Sequence, residues 1–273
     1  MSKIIYRPKG KAGEYAKYAA NFYNGCSGRC EYCYNRTGIT AKVLGGDKPE
    51  LKKSLGTVEN AEQIFMQEAD MYRIYLMKHG LFFNFVSDPF LPETIGLNTF
   101  AMRYCIIHSI PVIALTKRTW WVDTFLNEML KNETIWNLDY HEVQKFMAIG
   151  FTLTGHDEVE PGCSTNEDRI RAMKVLNAEG FKTWASVEPI IDFKSSWGMI
   201  RDCINHCDLI KIGLRSGVRY DPDHIAMFMM DVHRLAEVYQ SKIYWKDSLL
   251  KQAGIDRKDL QSNCADADYN LFT

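Results

Sequence analysis

Three cysteines fall within eight positions of the stretch NGCSGRCEYCYN, residues 24–35: Cys26, Cys30 and Cys33. Thiolates in such a cluster are soft metal ligands, and four chemistries fit them differently. A zinc site wants a fourth Cys or His, usually in a second pair, and here the next pair, Cys203 and Cys207, is far along the chain. A four-cysteine iron–sulfur carrier also needs a fourth thiolate. Plain burial as small hydrophobes is the third reading, but the interleaved Gly25, Ser27 and Gly28 do not follow an apolar face. In the fourth reading, three thiolates hold a four-iron cluster by three corners. One iron is then left for a ligand, as an open position is in catalytic zinc sites. The small residues would let the backbone wrap closely around such a group.

The elements that must position this loop alternate. Apolar runs at Leu81–Val86, Pro111–Lys117, Phe146–Thr154, Thr183–Ile191 and Leu209–Leu214 read as strands covered on both faces. An early strand at Tyr18–Tyr23 leads into the cysteines, and a further strand fits Lys242–Trp245. Helical stripes lie between them. Thr57–His79 aligns Val58, Ala61, Ile64, Phe65, Tyr72, Tyr75 and Leu76. Ser164 with Glu167 forms a capping-box signal ahead of Ile170, Met173 and Leu176. Asp221-Pro222 opens a helix with the stripe Ile225, Phe228, Met229, Val232, Leu235 and Tyr239. Weaker helices fit Leu97–His108, Val122–Lys131 and Ser195–Asn205. Alternation of this kind demands a parallel α/β sheet with right-handed crossovers. Six βα units suit either a partial barrel or an open doubly wound sheet, and in both the loops at the C-terminal strand ends build the site. The expected divisions are a tail at residues 1–14, a main body at 15–240 and an extension at 241–273 packed on it.

Composition bounds the rest. The chain has 273 residues, 46% of them hydrophobic, enough to bury a large core. A net charge of −1 advertises no nucleic-acid or membrane surface. No apolar run approaches the roughly 20 residues of a membrane span, and none resembles a signal peptide. The expected compartment is the cytoplasm, where eight cysteines argue for metal binding and burial over disulfides.

CxxxCxxC with an aromatic before its third cysteine, placed after an early strand, resembles the signature of radical S-adenosylmethionine enzymes. CEYCYN, FVSDPF, LTKRT, GFTLTGHDEVEPGCSTNEDRI and SVEPI resemble more narrowly the spore photoproduct lyase-like branch, over roughly residues 18–220. The resemblance implies a partial (β/α)6 barrel. It also implies a 4Fe–4S cluster on Cys26, Cys30 and Cys33, with S-adenosylmethionine on the open iron. Reductive cleavage would yield a 5′-deoxyadenosyl radical that abstracts hydrogen from a substrate. Tyr32 would lie against the adenine, Ser87 and Asp88 at the amino group, and Lys117 on the methionine carboxylate, with Thr152 or Thr154 helping there. Tyr34, the second tyrosine of the branch's pair, and Glu188 are the candidate catalytic residues. A low-potential donor such as flavodoxin or ferredoxin is implied. A nucleobase or nucleic-acid substrate is suggested by the branch alone, and the near-neutral charge does not support it.

One departure is plain. The photoproduct lyases carry a hydrogen-donating cysteine just before the Ser-Asp pair, and here that segment reads Asn84, Phe85, Val86. Cys163 is the nearest replacement by sequence and reads more simply as a loop cysteine. Cys203, Cys207 and Cys264 could hold a second metal group but read better as core packing. Glu188, costly to bury unpaired, points either toward the site or into an outward ion pair. Lys211 and Arg215 either bind an anion or line a wet rim. Trp120 and Trp121 read as a packed helix start, and Trp184 and Trp245 as core or rim aromatics. The leading expectation is a radical S-adenosylmethionine enzyme, lyase or transferase in type. The rivals are an iron–sulfur carrier or redox sensor without that chemistry, and a zinc-binding interaction module.

Overall fold

The computed structural model describes residues 4–36, 38–131, 138–266 and 269–272. The main sheet is mixed but mostly parallel, with eight strands in the order β1-β2-β5-β6-β7-β8-β9-β10. The chain divides into two compact units, and the division falls inside β7 (Met147–Thr152).

The first unit comprises Met1–Ile149, Val159–Ser164 and Phe272. It begins with β1 (Ile5–Tyr6), paired antiparallel to β2 (Ala19–Ala20), which runs parallel to β5 (Leu81–Phe83), itself parallel to β6 (Val112–Thr116). A separate antiparallel pair, β3 (Tyr23–Asn24) with β4 (Glu50–Leu51), brackets the cysteine loop and α1 (Gly38–Leu44). The helices α2 (Val58–His79), α3 (Ile95–Ile107), α4 (Val122–Lys131) and α5 (Tyr140–Phe146) complete the unit. In α2 the side chain of Thr57 accepts from the Asn60 N–H, satisfying one of the donors a helix start leaves open. Its buried stripe is Ala61, Phe65, Ala69 and Leu76; Val58 and Tyr75, expected in it, are exposed.

The second unit comprises Gly150–Glu158 and Thr165–Leu271. It alternates α6 (Asn166–Ala178), β8 (Lys182–Ile190), α7 (Phe193–Cys203), β9 (Leu209–Leu214), α8 (Pro222–Tyr239), β10 (Lys242–Trp245) and α9 (Asp247–Ala253). β8, β9 and β10 are parallel neighbours. Asp221 caps α8, its carboxylate accepting from the Asp223 and His224 N–H groups with Pro222 in the first turn. The cap of α6 is one residue later than the expected Ser164: Thr165 accepts from the Asp168 N–H. Ser164 is occupied elsewhere, accepting from the Thr119 N–H at 3.1 Å in the first unit.

Four expected strands are shorter than read: Pro111–Lys117 and Phe146–Thr154 lose end residues to give β6 and β7, and two lose more. The run Tyr18–Tyr23 yields only Ala19–Ala20 in the main sheet, because Asn21 turns its side chain to the Phe85 N–H and to Tyr6. The run Leu81–Val86 ends at Phe83, because Asn84 is left-handed (φ 64°), which stops a strand and which Asn tolerates better than most residues.

Candidate active site

In the first unit the cysteine loop leaves β3 through Gly25, whose φ of 77° only glycine adopts without strain. A Cβ there would also stand 2.2 Å from the Lys48 carbonyl oxygen. The Gly25 and Cys26 N–H groups donate to the carbonyls of Leu44 and Gly46, pinning the loop's entry. Its exit is a tight turn, the Cys33 N–H donating to the Cys30 carbonyl at 3.2 Å and the Arg36 N–H to the Cys33 carbonyl at 3.0 Å.

Gly28 is the centre of the arrangement. A Cβ on it would lie 3.3 Å from Cys26 Sγ, 3.5 Å from Cys163 Sγ and 3.7 Å from Cys30 Sγ. Three sulfurs thus converge on the one position without a side chain. Cys163 arrives by close backbone packing. The Gly162 N–H donates to the Gly28 carbonyl, and a Cβ on Gly162 would stand 2.5 Å from the Ser27 oxygen. Its Sγ is 3.8 Å from Cys30 Sγ. Burial pushes the Cys26 thiol up, with Asp88 adding to it, and burial likewise pushes Cys33 up. Among the described residues no three His, Cys, Asp or Glu side chains are grouped tightly enough for a single metal ion.

The segment after β5 is fastened to this loop. Tyr34 donates to the Phe85 carbonyl at 2.6 Å and Asn35 Nδ2 to that of Val86 at 2.8 Å. Asp88 bridges to β6. One oxygen accepts from Thr116 Oγ1 (2.7 Å) and the Phe90 N–H (3.0 Å), the other from the Lys117 N–H (2.8 Å). Ser87 Oγ is buried without a hydrogen-bond partner, as are Asn24 Oδ1, Asn35 Oδ1 and both amide atoms of Asn84. Native interiors rarely leave such atoms unsatisfied, and several gathered along two adjoining segments fit a polar ligand.

Tyr32, Lys117 and Glu160 form a second layer. The Tyr32 hydroxyl donates to the buried Glu160 carboxylate, and Lys117 Nζ stands 5.6 Å from the Tyr32 ring centroid. Burial raises the Tyr32 phenol well above its ordinary range, Lys117 opposing and Glu160 reinforcing. Burial alone would lower Lys117, but Tyr32, Cys30, Glu160 and Cys163 outweigh it and hold the ammonium charged. Glu160 and the placement of Cys163 were not read from the sequence. The EPGC turn was the available signal, but a partner 128 residues away leaves no local trace.

The second unit holds the other expected residues. Thr152 is buried, and its carbonyl accepts from the fully buried Arg169 at 2.8 Å. Thr154 is also buried, its N–H donating to Asn166 Oδ1 at 2.9 Å. Glu188 Oε2 is 3.4 Å from Lys246 Nζ, on the sheet face opposite the one where Phe228 of α8 meets Trp245. Of the two alternatives for Glu188, the outward, helix-facing ion pair does not fit this placement; its ion-pair partner is Lys246 on the other face. Trp184 and Trp245 are core residues. Cys203 and Cys207 are buried, Cys207 Sγ donating to the Cys203 carbonyl at 3.4 Å.

Comparison with solved structures places this architecture. Spore photoproduct lyase complexed with a dinucleoside spore photoproduct superposes with a TM-score of 0.61 and 15% identity, covering 88% of this chain and 79% of that one. A mutant of the same enzyme with bound S-adenosylmethionine and the dinucleoside gives 0.60 at 16% identity, over 85% and 76%. The fold is that of the radical S-adenosylmethionine enzymes. SuiB of Streptococcus suis bound to S-adenosylmethionine shares this radical S-adenosylmethionine fold more distantly, at 0.55 and 12% identity, over 90% of this chain and 53% of its own. By sequence, an uncharacterized protein of Methanocaldococcus jannaschii is 27% identical over 187 residues, 64% of this chain and 61% of that relative. No family model matches. The partial barrel expected from the sequence is thus the fold found, with spore photoproduct lyase among its neighbours. Among the described residues no helix is long and apolar enough to cross a membrane.

Proposed function

We propose that this chain is a radical S-adenosylmethionine enzyme, with Cys26, Cys30 and Cys33 holding a 4Fe–4S cluster. Bound there, the cluster would supply the electron that cleaves S-adenosylmethionine to a 5′-deoxyadenosyl radical able to abstract a substrate hydrogen. The observation that carries the reading is the gathering of the Cys26 and Cys30 sulfurs about Gly28, with Cys33 held to the same loop by its N–H on the Cys30 carbonyl, in a chain of this fold. The chain's own groups support it. Ser87 Oγ is a buried hydroxyl awaiting a partner and suits an amino group. The ammonium of Lys117 suits a carboxylate. Asp88, with three donors already on its carboxylate, holds the Ser87 segment in place and has one acceptor site left. Tyr32 beside the loop offers an aromatic face to a nucleobase, its hydroxyl held by Glu160. Tyr34, fastened to the Phe85 carbonyl, and Glu188 in the second unit are proposed to act on substrate, with Thr152 and Thr154 as further cofactor contacts. The electron would come from a flavodoxin or ferredoxin. Likeness to an enzyme complexed with a dinucleoside photoproduct suggests a nucleobase-containing substrate. The missing cysteine at Asn84–Val86 argues against the same repair reaction.

The test is anaerobic reconstitution, which should load about four irons and four sulfides per chain. Dithionite with S-adenosylmethionine should then give 5′-deoxyadenosine, and Cys30→Ala should abolish both. One observation favours a second reading, an iron–sulfur carrier or sensor without S-adenosylmethionine chemistry: Cys163 brings a fourth sulfur within 3.8 Å of Cys30. Cys163→Ala separates the two. A cluster that survives the change and still responds spectroscopically to S-adenosylmethionine supports the enzyme. A cluster lost with Cys163 supports the four-thiol carrier.

A further inference from the structure

Among the described residues five asparagines are buried: Asn21, Asn35, Asn84, Asn98 and Asn166. Four of them use their amides to hold the fold. Asn21 Oδ1 accepts from the Phe85 N–H at 2.8 Å, and Asn35 Nδ2 donates to the Val86 carbonyl at 2.8 Å. Asn98 Nδ2 donates to the Thr94 carbonyl at 3.0 Å, and Asn166 Oδ1 accepts from the Thr154 N–H at 2.9 Å. Asn84 is the exception. It is 5% exposed, and neither its Nδ2 nor its Oδ1 has a hydrogen-bond partner. A buried amide left in that state costs the fold free energy. The left-handed backbone at φ 64° favours Asn over most residues, but glycine adopts it more easily and buries nothing polar. The amide itself therefore has a use that the fold does not supply.

Its surroundings say what kind. Asn84 follows β5 directly, at the C-terminal edge of the parallel sheet, where α/β folds bind their ligands. The backbone there is braced. The Asn84 N–H donates to the Ala20 carbonyl at 3.0 Å, and the next two carbonyls accept from Tyr34 and Asn35. Phe85 is half-buried, its ring stacked on Phe82 with centroids 4.2 Å apart and planes 10° apart. Tyr34, bonded to the Phe85 carbonyl, is half exposed. A primary amide sets donors beside an acceptor in one plane. It complements an edge that does the same, as asparagine does with adenine. Nucleobases carry such edges, and their faces suit aromatic neighbours like Phe85 and Tyr34. A trans peptide points its N–H and C=O in opposite directions, so one amide does not meet both. A carboxylate offers acceptors alone.

We propose that Asn84 is a specificity residue that reads the substrate's nucleobase, Nδ2 donating to a ring acceptor and Oδ1 accepting from the donor beside it. This rests on the nucleobase-containing substrate proposed above and names the residue that would recognise it. All the residues involved lie in the first unit. The test is equilibrium binding to reconstituted, unreduced protein saturated with S-adenosylmethionine. The probes are two pairs: thymidine with 3-methylthymidine, and adenosine with N6,N6-dimethyladenosine. Methylation blocks the base's donor and keeps its ring. One parent nucleoside should bind saturably and its methylated partner about tenfold more weakly, the size of effect that lost hydrogen bonds produce. Asn84→Gly, which suits the backbone, should bring the parent to within twofold of the methylated probe while the thermal midpoint stays the same or rises. Asn84→Asp, which lacks the donor, should lose the parent's advantage too. Iron content and the spectral response to S-adenosylmethionine, read on the same samples, report separately on the radical chemistry. If no nucleoside binds, the nucleobase reading falls and the proposal with it. If discrimination survives Asn84→Gly, or if that change weakens S-adenosylmethionine binding instead, the proposal alone is overturned.

Discussion

The Asp88 carboxylate accepts the Lys117 backbone N–H at 2.8 Å, joining the segment after β5 to the end of β6 across 29 positions of chain. With Thr116 Oγ1 and the Phe90 N–H also donating to it, Asp88 holds in place the loop that carries Ser87. Asp88→Ala would leave those donors to water or to nothing. Hydrogen bonds to a charged acceptor contribute about 1.5–3 kcal/mol each, and partial rehydration offsets some of that. A loss of about 2–3 kcal/mol is expected in urea denaturation, with Asp88→Asn losing less. An unchanged midpoint for Asp88→Ala would show that the bridge carries no weight.

Gly213 makes a sharper test of design at one atom. Gly213→Ala places a methyl 2.8 Å from Glu188 Oε1 and 2.9 Å from Lys246 Cγ, so one of the two must withdraw. Overpacking of this kind costs about 1–3 kcal/mol. The same change made in a Glu188→Ala background should cost at least 1 kcal/mol less, since the pair it disrupts is already gone, a coupling of the size seen between contacting residues. Additive effects in that double-mutant cycle would mean that the glycine is there for another reason.

Tyr32 and Glu160 invite the same treatment. Tyr32→Phe removes the donor to a carboxylate that is 2% exposed. The expected loss is about 1–3 kcal/mol, the usual penalty for stripping a partner from a buried polar group. Adding Glu160→Gln should recover part of it, because an uncharged amide is cheaper to bury than a carboxylate. Thermal unfolding of the four variants reads this directly, and a double variant weaker than Tyr32→Phe alone would count against it.

What could be read from the chain and what could not divides along range. The α8 cap at Asp221-Pro222 and the strand Lys242–Trp245 stand where local signals put them, because a cap or an apolar run is decided by neighbouring residues. The cysteine loop was legible through spacing and interleaved glycines. The early strand was misread because Asn21 makes its hydrogen bonds 15 and 64 positions away, to Tyr6 and Phe85, and such partners override local β-propensity. α5 was missed because it runs into β7 at Phe146–Met147 with no intervening turn residues to mark the change. Glu160 and Cys163 reach the cysteine loop over more than a hundred positions, and no periodicity reports that.

The pH dependence of the second unit should centre on His156. Its Nδ1 meets Glu158 at 2.6 Å and its Nε2 meets Asp192 at 2.5 Å, the latter being also the cap of α7. Burial would lower the imidazole, but the two carboxylates outweigh it and raise the folded-state value above the ordinary 6.5. A raised value means that the charged pair stabilises the fold fully below the unfolded-state value and loses that contribution as pH rises through the folded one. Glu158 is lowered chiefly by its bond to His156. Asp192 is lowered as well: its burial pulls upward but is outweighed by the Ser195 N–H and by His156. The contribution of both is therefore present above their unfolded values and is lost in acid. Wild type should thus exceed His156→Ala in urea midpoint by most near pH 5–6, between about the carboxylate and imidazole ranges, with the gap closing toward both ends. A gap that stays constant from pH 5 to about pH 9 would show that the imidazole acts by packing alone.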